Sequence, residues 1–168
     1  GMPGFMEILK AVKGKRDGRN FHPVLSTPKN IESSEIIKTI YGNFDQEYHG
    51  FGQQKFPPHC TLLFMLHYYQ ETKDDKLKEM IDKTLDTMMK SGLHDHLQGG
   101  FFRYCVDREW KIPHFEKMLY DQAMLLWIYS VAFKLIGKNK YKIVAEKIVK
   151  CLSETFELNN LFYSGIDA

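Results

Sequence analysis

The stretch Asp74-Asp-Lys-Leu-Lys-Glu-Met-Ile-Asp-Lys-Thr-Leu-Asp-Thr-Met-Met-Lys-Ser-Gly92 decides the fold class. Its apolar residues Leu77, Met80, Ile81, Leu85 and Met88 recur at three- and four-residue intervals, the spacing that puts them on one face of an α-helix. Asp74 has the short acceptor side chain that caps a helix start, and Gly92 supplies a stop. Just upstream, Pro57 and Pro58 open another helical stretch running to about Glu71, because a first helical turn has no use for the amide that proline lacks. The two stretches predict an antiparallel helical hairpin.

Outward from this hairpin the same period persists. A helix is expected from about Ile31 to Phe44, and after a loop from Leu93 to Pro113 a long helix from His114 to Ile136 that ends at Gly137. Its partner starts near Asn139 and carries Tyr141, Val144, Ala145, Ile148, Val149, Leu152 and Phe156. The chain then turns at Asn159 and Asn160 into a short extended piece, Leu161-Phe-Tyr163. Nothing alternates long enough for a sizeable sheet. The class is all-α with short β pieces in the hairpin loops, and two similar hairpins predict a repeating architecture in which each unit buries its apolar face against a neighbour. Ahead of it, Pro3 to Val12 is a short helix candidate, and Gly14 to Lys29, with Pro23 and Pro28, is a linker. The expected division is residues 1–30 as helix and linker and residues 31–168 as the hairpin domain.

Composition narrows the function. With 43% hydrophobic and 26% charged residues, the 168-residue chain has an ordinary globular balance. Its 23 basic and 21 acidic residues give a net charge of +2, too even for a surface built to neutralise phosphates, so no nucleic-acid partner is expected. Cys60, Cys105 and Cys151 are far apart and form no Cys-x-x-Cys pair, which suggests reduced thiols rather than a disulfide framework or zinc site. No segment approaches the roughly 18 uninterrupted apolar residues of a membrane span, and no secretory signal pattern is present. The expected location is cytoplasmic, with no membrane partner and no cofactor.

Reactive side chains concentrate in Ser91-Gly-Leu-His-Asp-His-Leu-Gln-Gly-Gly-Phe-Phe-Arg-Tyr-Cys-Val-Asp107 and Pro113-His-Phe-Glu-Lys-Met-Leu-Tyr-Asp121. Gly99 and Gly100 permit a tight turn or a close approach, and the following aromatics could either stack on a sugar or seal the hairpin junction. His94 and His96 bracket Asp95, yet no diagnostic spacing completes a metal site, so none is expected. On the helix predicted to begin at His114, the residues His114, Lys117 and Asp121 would form one polar stripe. Facing a cleft, His114 could exchange a proton, Glu116 or Asp121 could tune it, and Lys117 or Arg103 could hold a substrate oxygen or an enolate. Facing solvent, the stripe would be a helix start whose charges pair with each other. Cys105 suits a buried apolar position better than a nucleophile.

Three strings, Gly50-Phe-Gly-Gln-Gln-Lys-Phe-Pro57, His94 to Asp107, and Trp110 with Pro113 to Asp121, resemble the thioredoxin-domain-containing family that includes the spermatogenesis-associated proteins of animals. Phe162-Tyr-Ser-Gly-Ile-Asp-Ala168 resembles that family's pattern at the end of a hairpin. The resemblance implies a thioredoxin-like domain ahead of a helical toroid similar to N-acylglucosamine 2-epimerase and cellobiose 2-epimerase. Here it covers only the toroid, so the expectation is a fragment, a partial (α/α)6 toroid of the six-hairpin glycosidase type, without thioredoxin activity. The motif residues carried over as cleft candidates are His94, Asp95, His96, Arg103, His114, Glu116, Lys117, Tyr120 and Asp121. His114, Arg103 and Lys117 are the candidates for chemistry, and the other six for binding a small carbohydrate. The competing expectation is a non-catalytic interaction or remnant module whose open ring edges associate as a homodimer.

Overall fold

The computed structural model describes residues 32–167. The expected N-terminal helix Pro3 to Val12 and the linker Gly14 to Lys29 lie outside the described residues.

Helix α1, Ser33–Asn43, is short and buries Ile37 and Ile40, one turn apart. Helix α2, His59–Thr72, follows the two prolines and buries Leu62, Met65, Leu66 and Tyr69, a stripe at the helical period. Lys73, in the left-handed region at φ 56°, ends it by donating its amide to the Tyr69 carbonyl. Helix α3, Asp75–Lys90, begins one residue after the Asp74 cap, whose carboxylate accepts from the Leu77 amide at 3.1 Å. Its buried face is Leu77, Met80, Ile81, Thr84, Leu85 and Met88, the stripe expected from the sequence.

Helices α4, Leu119–Ile136, and α5, Asn139–Cys151, form the second hairpin, with Gly137 at φ 80° closing α4 on the Phe133 carbonyl. The Tyr129 hydroxyl donates to the Leu85 carbonyl at 2.9 Å and the Tyr141 hydroxyl to Asp82 at 2.7 Å, so polar tips of buried rings on the second hairpin bind α3 of the first. Helix α5 runs on through a π-helical turn, Leu152–Phe156, that buries Phe156. Val149, assigned to the apolar stripe by spacing, is 51% exposed.

Between and after the hairpins the backbone pairs in two-residue strands. Strand β1, Tyr104–Cys105, is antiparallel to β2, Pro113–His114; β3, Lys117–Met118, is antiparallel to β6, Gly165–Ile166. Strands β4, Glu157–Leu158, and β5, Leu161–Phe162, form a hairpin closed by Asn159 and Asn160 at φ 52° and 61°. Asparagine tolerates the left-handed backbone that such two-residue turns need.

One expectation is corrected. The long helix starts at Leu119, not His114: residues 113–114 and 117–118 are extended and spend their backbone on strand pairing. His114 and Lys117 therefore do not share a helical stripe with Asp121, and Glu116 is not in a first helical turn. Helical periodicity misleads here because pairings distant in sequence, and the burial of Lys117, override local spacing.

Candidate functional site

The loop from Leu93 to Phe101 turns back on itself through an isolated bridge between His94 and Phe101. Gly99 and Gly100 have φ of 80° and 74°, and a Cβ on Gly100 would sit 2.7 Å from the Cys151 Sγ and 2.8 Å from the Gln122 Oε1. Gln122, fully buried on α4, accepts from the Phe101 amide at 2.8 Å and donates to the Phe101 carbonyl at 2.7 Å. Asp95 accepts from the Leu97 and Gln98 amides and pairs with the Lys117 Nζ at 2.7 Å. Lys117, 4% exposed, also donates to the Gly99 carbonyl at 3.0 Å. Burial pushes the Asp95 carboxyl up, but Lys117 and the two amides outweigh it and hold it below the usual range. The geometry thus gives Lys117 and Asp95 the work of holding this loop.

The paired histidines belong to the same knot. His94 is 3% exposed, its Nδ1 lies 3.3 Å from the His96 Nδ1, and the His96 Nε2 is 3.0 Å from the Ser91 carbonyl oxygen. Burial first, then the His96 and Lys147 charges, push His94 down to about 4, so its imidazole is neutral at pH 7. Among the described residues, no group of three or more His, Cys, Asp or Glu side chains is arranged to hold a metal ion.

A second group is more open. Arg103 donates its amide to the Glu116 carbonyl at 2.8 Å and its Nη1 to the Glu116 Oε2 at 2.9 Å. Glu116 and then Tyr120 hold the guanidinium above its usual range. The His114 Nδ1 lies 3.8 Å from the same Glu116 oxygen, an electrostatic contact too long for a hydrogen bond. Phe56, Tyr104 and His114 stack in a nearly parallel ladder, with centroids 4.5 and 5.1 Å apart and planes 12° and 13° apart. Tyr120 and Phe115 are half or more exposed.

Behind this surface the first residue of α2 meets the start of α4: the His59 Nε2 is 3.3 Å from the Asp121 Oδ1. The approach is within ion-pair range, but its angle makes no hydrogen bond, and His59 Nε2, Asp121 Oδ2 and Arg103 Nε are buried without hydrogen-bond partners. Burial pushes Asp121 up to about 7; Arg103 pulls against it and Glu116 adds to it. Burial lowers His59.

The structure therefore divides the nine candidates into two groups: His94, Asp95, His96 and Lys117 build the loop knot, while Arg103, His114, Glu116, Tyr120 and Asp121 lie around the more open surface. Sequence reasoning missed His59 and Phe56 as members, and had Tyr104 only among the aromatics after Gly100 that could stack on a sugar or seal the hairpin junction. The available signal for the first two was their position beside Pro57 and Pro58, which turn the chain into α2.

Two other features are structural. Lys55, 0% exposed, pairs with Asp45 at 2.7 Å, and Arg108 grips the same carboxylate through Nε and Nη2, both at 2.8 Å. Trp110, at φ 62°, has its ring centroid 5.8 Å from the Lys55 Nζ and donates its indole N–H to the Tyr48 carbonyl at 2.8 Å, and a Cβ on Gly50 would come within 2.7 Å of its ring. Burial, then Asp107, pushes the Cys105 thiol up to about 12, which removes it as a nucleophile at neutral pH. A groove of about 470 Å³ lies elsewhere, walled by Glu79, Asp82, Lys83, Asp86 and Lys90, whose charges largely pair locally.

No family model matches the chain. It is 35% identical to an uncharacterised protein of Caenorhabditis elegans, over all of this chain and 26% of that protein. It is 41% identical to the human spermatogenesis-associated protein 20, over 89% of this chain and 19% of the relative. The chain thus spans about a quarter or less of the length of these relatives. Over 54% of its length it is 29% identical to the cellobiose 2-epimerase of Bacteroides fragilis, covering 25% of that enzyme. A cellobiose 2-epimerase from Spirochaeta thermophila superposes with a TM-score of 0.71 at 13% identity, covering 98% of this chain and 42% of that one. A sugar epimerase from a ruminal bacterium does so at 0.68 and 17%, covering 79% and 37%. Among the described residues, no helix is long and apolar enough to cross a membrane. The chain is a homologue of the proteins named spermatogenesis-associated protein 20 and carries part of an epimerase-like (α/α) toroid.

Proposed function

We propose that this chain supplies a carbohydrate-binding wall of an epimerase-like toroid, centred on Arg103, His114, Glu116, Tyr120 and Asp121. The observation that carries the reading is the ladder of Phe56, Tyr104 and His114 beside the Arg103 to Glu116 ion pair. Aromatic surface covers the C–H face of a pyranose, and a fixed guanidinium and carboxylate take its hydroxyls. The sugar epimerases that share this fold and the cellobiose 2-epimerase similarity support a sugar as the ligand.

On this reading His114 exchanges the proton next to a sugar carbonyl, and Arg103, fixed by Glu116, steadies the negative charge left on the oxygen. Lys117 and Asp95 hold the loop that carries His94 and His96 and so act by positioning. Native mass spectrometry with a panel of mono- and disaccharides tests the binding step. A sugar-bound species abolished by Arg103→Ala or His114→Ala is the expected result; no bound sugar in the unsubstituted chain refutes it.

A second reading, association through an apolar edge, is favoured by the exposure of Trp127, Phe133, Ile143 and Val149 on α4 and α5. It predicts a dimer in the same spectra that Trp127→Glu dissociates; a monomer at all concentrations refutes it.

A further inference from the structure

Between Leu119 and Ile136, helix α4 carries charge only at Asp121 and Lys134. A helix that is apolar all round is built to be covered all round. One side of α4 is covered: Leu125, Ile128, Tyr129 and Ala132 are buried in the core. The opposite stripe, Ala123, Leu126, Trp127, Ser130 and Phe133, is left open, with Trp127 57% and Phe133 37% exposed. A groove of about 370 Å³ runs between this stripe and α5, walled by Leu126, Ser130 and Phe133 on one side and by Lys142, Ala145 and Glu146 on the other.

The groove is self-complementary. On α5, Lys142 and Glu146 lie one turn apart with Ala145 between them. Their approach within the helix is 3.7 Å, too long for a hydrogen bond, and the side chains are 53% and 63% exposed. Such a pair holds its members weakly, so either can take another partner at little cost. On α4, Leu126 and Phe133 flank Ser130 in the same manner. Ser130 and Ala145 stand at nearly equal distances in sequence from the turn at Gly137, and so at about the same level of the hairpin.

We propose that a second copy of this chain covers the groove, hairpin on hairpin, about a two-fold axis that crosses α4 and α5 at right angles near Ser130 and Ala145. That axis reverses the direction of each helix and lays α5 antiparallel on the α5 of the other copy. Lys142 of each copy then meets Glu146 of the other, and Leu126 of each meets Phe133 of the other. The small residues fall where the helices face each other, and the large ones interdigitate beside them. A two-fold axis along the helices would instead set each α5 on the other copy's α4 and press Lys142 and Glu146 onto its apolar stripe, where both lose water without gaining a partner. An unrelated partner has no need of this symmetric order of charges, whereas a second copy supplies its complement automatically. The proposal rests on the second reading above, association through the apolar edge, and adds to it the partner, the axis and the register.

Sedimentation velocity of the whole chain, its Lys142→Glu and Glu146→Lys variants and Trp127→Glu tests this. Each charge reversal creates two like-charge contacts across the axis, and is expected to weaken the dimer about tenfold at about 0.15 M salt, a loss that narrows at about 1 M. Mixed in equal amounts, the two reversed chains carry opposite charges at both contacts, and are expected to form a heterodimer as tight as the unsubstituted dimer, recognised by its mass in native spectra. A dimer that Trp127→Glu dissociates but neither reversal weakens, or a mixture that dimerises no more tightly than either variant alone, overturns the axis and leaves association through the edge standing. A chain that stays monomeric at all concentrations overturns both, and leaves the groove to a different protein or a further helical hairpin. Both reversed positions are exposed, and circular dichroism checks that the fold is kept; should one variant fail to fold, the other decides alone, an unweakened dimer overturning the proposal.

Discussion

Replacing Lys117 by Met separates a residue that holds the loop from one that meets substrate. The Lys117 side chain is 5% exposed and that of Asp95 13%, with 2.7 Å between Nζ and Oδ2. Methionine keeps most of the volume and removes the charge, leaving the Asp95 carboxylate without its cation and the Gly99 carbonyl without a donor. Breaking a buried ion pair from one side costs about 3–5 kcal/mol. Asp95 keeps its two amide donors, which puts the expected loss near the lower end, about 3 kcal/mol. Urea unfolding followed by tryptophan fluorescence and far-ultraviolet circular dichroism measures it as a shift in midpoint at constant slope. Asp95→Asn paired with Lys117→Met is expected to cost less than the two single losses added together, because the asparagine carbonyl still caps the turn and no charge is stranded. A loss below about 1 kcal/mol for Lys117→Met would refute the reasoning, since that is what an exposed pair contributes.

Gly100→Ala is expected to lower stability by about 1–3 kcal/mol, because the backbone is left-handed and the new methyl meets Cys151 and Gln122; an unchanged melting temperature would contradict this. Asp45 is pushed up by burial but pulled well below the carboxylate range by Arg108, Lys55 and two amides. A depressed carboxylate stabilises the fold above its unfolded pKa of about 4 and loses that contribution as pH falls through the folded value, so Asp45→Asn is expected to flatten the acid limb of a stability against pH curve. At pH 8 in native buffer one thiol, the exposed Cys60, is expected to react rapidly with a disulfide reagent, while buried Cys105 and Cys151 react only on unfolding; three fast thiols would count against the burial described.

The helices were legible because their signals are local. The stripe in α3, the Asp74 cap, the prolines ahead of α2 and the glycine after α4 each act within a few residues. What was illegible depends on partners far along the chain. Lys117 is spaced like a helical residue, and only the pairing of β3 with β6 and the ion pair with Asp95 make it extended and buried. Likewise, His59 sits at a helix start with nothing nearby in sequence to mark it, and becomes notable only when α4 brings Asp121 against it. The sequence marks the reactive side chains only as a stretch, and their division into a loop knot and an open surface depends on the tertiary pairing. Val149 shows the opposite limit: an apolar residue next to a buried stripe need not belong to it.

The bridge of Lys55 with Cys105 and the pairing of β3 with β6 each join positions about fifty residues apart. Closing a loop of that length costs on the order of 3–4 kcal/mol of chain entropy before any contact is regained, whereas each helical hairpin closes through a link of only a few residues. The expected order of assembly is that the helical hairpins and the local β1–β2 pair form first from their own contacts, and that the bridge bringing Lys55 and Phe56 to β1 and the pairing of β3 with β6 form later. Amide exchange should then find β1, β2 and β3 opening at lower free energy than the middles of α3 and α4. On the function proposed above, the ligand-binding surface is thereby also the part that a bound ligand stabilises most, because its loose states lie within reach of modest binding energies.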